Sequence, residues 1–242
     1  MNARGTNRHG PRDRGVRAVG KIILLAGLLF FPALPSFGQA PPFRNISGLA
    51  AGGLFPTGPF NDHVSQEGIG VGGFYARRLG SSPLLVGADL SFADYGHTSW
   101  VAYLLGMPEL DVDTKNSIVQ GLALLRIQPR TGRVATFVEG LAGISYLYTA
   151  TAVGTLEDGS TDWETNHSDW TWTAGAGAGL SILLGKSWAD DSGERLRRTV
   201  LELKVRYLAG GQADYLKKGS YLTPERSATS VITLQVGISQ VF

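Results

Sequence analysis

The chain has 242 residues, 33 glycines, no cysteine and only 17% charged residues. The missing cysteine excludes a disulfide framework and a thiol-attached lipid anchor. Its 22 basic residues barely outnumber its 20 acidic ones, and six of them (Arg4, Arg8, Arg12, Arg14, Arg17 and Lys21) stand at the front beside one acid, Asp13, leaving 16 basic against 19 acidic groups elsewhere. The basic balance of the whole chain therefore belongs to its first segment, and no nucleic-acid partner is expected.

The front segment has the plan of a secretory signal peptide. A basic stretch leads into the short apolar run Ile22 to Ala33, followed by Pro35-Ser36-Phe37-Gly38-Gln39-Ala40. The run is too short to span a bilayer as a helix, and cleavage after Gly38 leaves small residues at Ser36 and Gly38. The expected organisation is a signal peptide over residues 1–38 and one domain over residues 39–242.

After Gln39 there is no run of 18 apolar residues and no sustained 3.6-residue period. Eight segments of strand character follow instead, bounded by turn residues: Asn45–Phe55, Gly68–Leu79, Leu84–Tyr95, Thr114–Gln128, Val134–Thr149, Trp170–Leu184, Thr199–Leu208 and Ala228–Phe242. Each can supply the roughly 9–11 residues that a tilted membrane strand needs. Gly80-Ser81-Ser82-Pro83 and Pro129–Arg133 are short turns, whereas Gly96–Asp113, Ala150–Asp169 and Ala209–Ser227 are long connections. Gly185–Arg198 is the long exception on the short-turn side, with a helical turn expected near Glu194–Arg198. Short turns at one end and long loops at the other describe an up-and-down meander through a membrane.

The faces alternate with period 2. Leu84, Val86, Ala88, Leu90 and Phe92 oppose Asp89 and Ser91; Val138, Ala142, Ile144, Tyr146 and Tyr148 oppose Glu139 and Ser145. Leu201, Leu203, Val205 and Tyr207 alternate with Glu202, Lys204 and Arg206, while Trp170, Trp172 and a row of alanines oppose Thr171, Thr173 and Ser181. In the last segment Ile232, Leu234, Val236, Ile238 and Phe242 share one face, and Thr233, Gln235 and Ser239 the other. In a soluble barrel the apolar rows would form the core, and in a membrane barrel they would face lipid. The leading segment, the terminal Phe242 and the aromatics near the long-loop ends favour the membrane solution. Tyr95, Tyr146, Tyr148, Trp170, Trp172 and Tyr207 are expected to form the interfacial girdle.

Three phrases carry a family resemblance: Gly52-Gly53-Leu54-Phe55-Pro56-Thr57-Gly58-Pro59-Phe60; Phe137-Val138-Glu139-Gly140 with Ser145-Tyr146-Leu147-Tyr148; and Leu201-Glu202-Leu203-Lys204-Val205-Arg206-Tyr207. With the closing strand they make the chain similar to the small outer-membrane β-barrels, eight-stranded and OmpA/OmpX-type. The resemblance implies an all-β, eight-stranded antiparallel up-and-down transmembrane barrel in the cell outer membrane, reached through the inner membrane. It also implies outer-membrane lipids and the barrel-assembly machinery as partners, with Ile238 and Phe242 in the C-terminal assembly signal. Gln240 departs from that signal, and no peptidoglycan-binding domain is expected after Phe242.

An eight-stranded barrel has an interior just wide enough for side chains to fill, so inward charges must pair. Arg126, Lys204 and Arg206 are expected to meet Glu139, Glu202 and Asp89 in a plug of ion pairs. No cofactor or metal site is expected: Asp158–Glu164 carries oxygen ligands without EF-hand spacing, and no helix follows Gly70-Val71-Gly72-Gly73 to make a phosphate loop. No catalysis is expected either, because neighbours such as His167 and Ser168 on an extended chain point to opposite sides, and Asp62-His63-Val64-Ser65 is a weaker set. The expected role is structural or interactional, with acidic and aromatic loops (Trp100, Tyr103, Trp163, Tyr215, Tyr221) offered to an extracellular partner. A narrow porin-like channel and a lipid-modifying enzyme are the alternatives.

Overall fold

A strand in lipid must find partners on both edges, and the computed structural model satisfies this by closing the sheet on itself. It describes residues 43–64, 66–102, 110–129, 133–155, 162–184, 198–216 and 224–242; the expected signal peptide and the helical turn near Glu194 lie outside them. The elements are β1 (Asn45–Thr57), α1 (Pro59–Val64), β2 (Gly68–Arg78), β3 (Leu84–Ala102), β4 (Leu110–Ile127), β5 (Val134–Thr155), β6 (Asp162–Leu183), β7 (Arg198–Gly210), β8 (Gln212–Leu216), β9 (Pro224–Ala228) and β10 (Ser230–Val241). Eight of them form one closed barrel in the order β1-β10-β7-β6-β5-β4-β3-β2, while β8 and β9 form a separate hairpin. All barrel pairs are antiparallel. The seam joins the first strand to the last: Ile46 lies opposite Val241, and the Asn45 and Arg44 amides both donate to the Phe242 carbonyl, at 2.8 and 3.0 Å.

The polarity of the wall is inverted relative to a soluble barrel. Leu49, Ile69, Leu90 and Ile238 stand 75%, 73%, 64% and 58% exposed, whereas Arg126 is 0% and Glu202 1% exposed. Soluble folds leave scattered apolar residues on the surface but almost never bury charges beneath a continuous apolar exterior. The apolar rows therefore face lipid, and the soluble-barrel solution is excluded.

Four strands are much longer than the membrane requires. β1, β2, β7 and β10 have 11 to 13 residues, but β3 and β4 have 19 and 18 and β5 and β6 have 22 each. A 22-residue strand runs about 70 Å, well beyond an apolar band of about 25 Å even when tilted. Much of the expected loops Gly96–Asp113 and Ala150–Asp169 is thus paired strand, continuing past register shifts at Asp94/His97 and Thr149/Ala150. The expected loop Ala209–Ser227 likewise contains the β8–β9 hairpin.

At the long-loop end, Gly58 (φ 60°) turns the chain and Pro59 opens α1, a first-turn position where its missing N–H costs nothing. Phe60 and Val64 of α1 are buried. The Phe60 ring meets Tyr95 and Tyr215 edge-on, with centroids 5.2 and 5.0 Å apart, and the Tyr215 hydroxyl lies 2.9 Å from His63 Nδ1 and 2.6 Å from Ser227 Oγ. This mainly aromatic cluster sits at the barrel mouth.

A closed ring has no edge from which detergent can peel strands. The purified chain is expected to run as a compact band on SDS gels at room temperature and to shift on boiling; a single unshifted band would contradict closure.

Candidate functional site

The inward rows of β3, β4, β5 and β7 converge on one cluster at mid-height. Asp89, Arg126, Glu139, Glu202, Lys204 and Arg206 are all buried there. Arg126 donates through Nε and Nη2 to Glu139 Oε2 (3.1 and 2.9 Å) and through Nη1 to Glu202 Oε1 (2.8 Å). Arg206 donates through Nε to Glu139 Oε1 (2.6 Å) and through Nη2 to Asp89 Oδ2 (2.8 Å). The chain of charges Glu202–Arg126–Glu139–Arg206–Asp89 crosses the lumen, with Glu139 bridging both guanidinium groups. The planar fork of arginine suits such two-sided contact, which the point charge of lysine does not.

Lys204 interacts electrostatically with Glu139, Glu202 and Asp89 but makes no ion pair within 4.0 Å among the described residues; its Nζ lies 4.7 Å from the centroid of the Phe74 ring. From its place between Glu202 and Arg206 on the inward row of β7 it brings the cluster to three cations and three carboxylates. Phenylalanines also flank Arg126, whose Cζ lies 4.6 Å from the Phe74 centroid and 3.9 Å from that of Phe137. The ring faces attract the cation and keep water from it.

Room for this cluster comes from β6, the strand between β5 and β7. A Cβ at Gly177 of β6 would stand 2.8 Å from Arg206 Cγ and 3.3 Å from Glu139 Cγ, and one at Gly179 would overlap the Phe137 ring. Above the cluster, Gln120 Nε2 donates to Ser145 Oγ (3.0 Å), which shares a bond with Thr173 Oγ1 (2.5 Å). Below it, Gln128 Nε2 donates to Ser181 Oγ (3.2 Å). Side chains project into the lumen and pair within it at each of these levels.

The aromatic expectations divide. Tyr146, Tyr148, Trp170, Trp172 and Tyr207 stand on the outward rows of β5, β6 and β7, with Trp170 and Trp172 about 60% exposed and Tyr146 packed 4.6 Å from Trp170. Tyr95 requires a correction: it is 1% exposed and packs inward on Phe60, because it lies on the row of Asp89, Ser91 and Ala93, opposite Phe92. Nearness to a strand end does not determine its face. Ile238 faces outward between Leu49 and Leu201, and Phe242 ends the seam with its amide donating to the Asn45 carbonyl (3.0 Å).

His63 meets Tyr215, His167 Nε2 lies 3.1 Å from the Asp214 carbonyl, and Asp169 accepts from the Trp170 and Asp214 amides. Asp158 and Ser65 lie outside the described residues. Gly58, with Pro59 as the first residue of α1, is a helix-start signal in the sequence.

Removing one partner of a buried pair strands the other charge. Arg126→Met is expected to lower the unfolding free energy in lipid vesicles by about 3–5 kcal/mol. Gly179→Val, which displaces Phe137, should also destabilise, whereas Thr171→Val, away from the cluster, should stay within about 1 kcal/mol. Urea titrations of the three variants check this.

No protein-family model and no curated protein matches the chain. Several solved structures do. Neisserial surface protein A is 10% identical over 85% of this chain and 100% of its own, with a TM-score of 0.40. Ail of Yersinia pestis, solved with the heparin analogue sucrose octasulfate, is 15% identical over 84% of this chain and 100% of its own, at 0.37. OprG of Pseudomonas aeruginosa is 12% identical over 85% and 98%, at 0.32. Such values carry no function across. The assignment rests on the closed ring, the lipid-facing apolar wall and the charge-filled interior, and by that geometry the chain has the architecture of the small eight-stranded outer-membrane β-barrels.

Proposed function

We propose that this protein is an integral outer-membrane barrel whose work is done outside the lipid, as a rigid stand for a surface-exposed sheet. The observation that supports this reading is the overrun of β3–β6, which remain paired to Ala102↔Leu110, Leu110↔Thr155 and Val153↔Asp162, far past the ends of β2 and β7. Paired strands hold an orientation that a bare loop would lose. Polar residues gather at this end: Asp94 binds Lys115 (2.7 Å) and Ser117 (2.6 Å), and Asp113 lies 3.6 Å from His97. Trp100 and Trp163 are carried by β3 and β6, whereas Tyr103, Glu109, Glu157 and Tyr221 lie outside the described residues.

The occupant of this surface is an extracellular partner or lipid headgroups. A conducting role fits poorly, since the aromatic cluster sits at the mouth and the ion-pair cluster crosses the lumen. Signal-peptide-directed export and insertion by the barrel-assembly machinery belong to the same reading.

An epitope inserted between Gly106 and Met107 is expected to bind antibody on intact cells, and one inserted between Ser81 and Ser82 only after permeabilisation. The reverse pattern would overturn the orientation. In planar bilayers no steady conductance step is expected; a stable open level that disappears in Arg126→Met would favour the channel instead.

A further inference from the structure

The outer wall is not uniform around the barrel. Down the β1–β2 ladder the outward pairs run Ala51↔Val71, Leu49↔Gly73, Ser47↔Tyr75 and Asn45↔Arg77, from apolar to polar to cationic within six residues of each strand. The upper pairs belong to an open apolar depression of the wall whose lining includes Leu49, Val71, Gly73, Leu90, Val236 and Ile238. Gly73 keeps it open: a Cβ there would already stand 3.1 Å from Leu49 Cδ2, so a larger side chain would fill the floor.

Directly below the groove lies a corner of donors. Arg77 and Arg44 are exposed, and neither side chain has a hydrogen bond or ion pair among the described residues. Their backbones adjoin: Asn45 is the register partner of Arg77, and the Arg44 carbonyl accepts from the neighbouring Arg78 amide at 2.7 Å. Tyr75 donates its hydroxyl to Asn45 Oδ1 (3.0 Å), which orients the Asn45 amide group with its N–H bonds free to donate. Gln240, the departure noted in the closing strand, stands outward in register with Ser47 and Thr199 and continues this polar belt. The exposed charged side chains at this end among the described residues are Arg44, Arg77 and Arg133, with Arg198 half-buried and no Asp or Glu side chain beside them.

We infer that the outer face of β10-β1-β2-β3 is a binding site for an anionic phospholipid of the leaflet facing the short turns, with an acyl chain in the groove and its phosphate on Arg44, Arg77 and Asn45. The groove supplies apolar contact in line with a chain that leaves the headgroup region, and the guanidinium groups supply fixed donors at the depth of a phosphate. The inference needs only that the barrel sits in a bilayer, so its failure leaves the surface role untouched.

The test is native mass spectrometry of the full chain in detergent, titrated with phosphatidylglycerol or phosphatidylcholine of the same acyl composition. One phosphatidylglycerol is expected to survive activation that strips phosphatidylcholine. Arg44→Gln with Arg77→Gln should weaken its retention about 30-fold, the effect of two basic side chains at an anionic headgroup. Gly73→Leu, with its heat-dependent gel shift intact, should weaken it with both arginines present. Equal retention of the two lipids, or unchanged retention in the double variant, would mean annular lipid only and overturn the proposal. Displacement of the lipid by millimolar inorganic phosphate would show a simple anion site and overturn it too.

Discussion

Arg126 is the interaction on which the rest of the barrel depends. A guanidinium with no exposed surface is tolerable only if its donors are met, and here Glu139 and Glu202 meet them while Phe74 and Phe137 cover its flanks. Those four residues come from β5, β7, β2 and β5 again, so one side chain of β4 ties together strands on opposite sides of the lumen. Through Glu139 the tie extends to Arg206 and Asp89, and so to β3. Glycines of β6 complete the arrangement, since the stems of Arg206 and Glu139 and the Phe137 ring occupy the space where side chains of Gly177 and Gly179 would stand.

The wall and the interior solve one problem in opposite ways. Lipid can satisfy no backbone group, so the sheet must close; closure at eight strands leaves a lumen that side chains must fill. Lipid outside takes the apolar row of each strand, and the polar row is left to fill the inside. The outcome is a core of mixed character: an aromatic cluster of Phe60, Tyr95 and Tyr215 at the mouth, a charge cluster at mid-height, and buried Ile46, Leu85 and Val241 near the short turns. Above the lipid these constraints lapse. Only β3–β6 continue there, with the β8–β9 hairpin beside β6 through the Asp214–Asp169 and Asp214–His167 contacts.

What could be read in advance follows from the same physics. Period-2 alternation is imposed by lipid, and it placed Glu202, Lys204 and Arg206 on one row and Leu201, Leu203 and Val205 on the other. It also contained the inward face of Tyr95, three residues from outward Phe92, although strand-end position suggested the girdle. Partners inside the lumen were beyond its reach in detail: Arg126 and Glu202 lie 76 residues apart on strands that are not neighbours, and only barrel register and side-chain length bring them together. Lys204 shows the limit, because parity puts it inside near all three carboxylates but does not foretell that its Nζ also lies 4.7 Å from the Phe74 ring. The strand extensions are illegible in the sequence for a complementary reason. Outside lipid neither face must be apolar, so His97-Thr98-Ser99 and Thr149-Ala150-Thr151 carry no alternating signature despite being paired strand.

The inverted polarity of the wall is the central claim, and the cysteine-free chain allows it to be tested residue by residue. Single cysteines placed along β10 in lipid vesicles would be exposed to a maleimide dissolved in the bilayer. Labelling at Leu234→Cys, Val236→Cys and Ile238→Cys, with protection at Thr233→Cys and Ser239→Cys, is the result the account predicts. Labelling of the Thr233 and Ser239 positions with protection of the other three would contradict it, because the apolar row would then be the core.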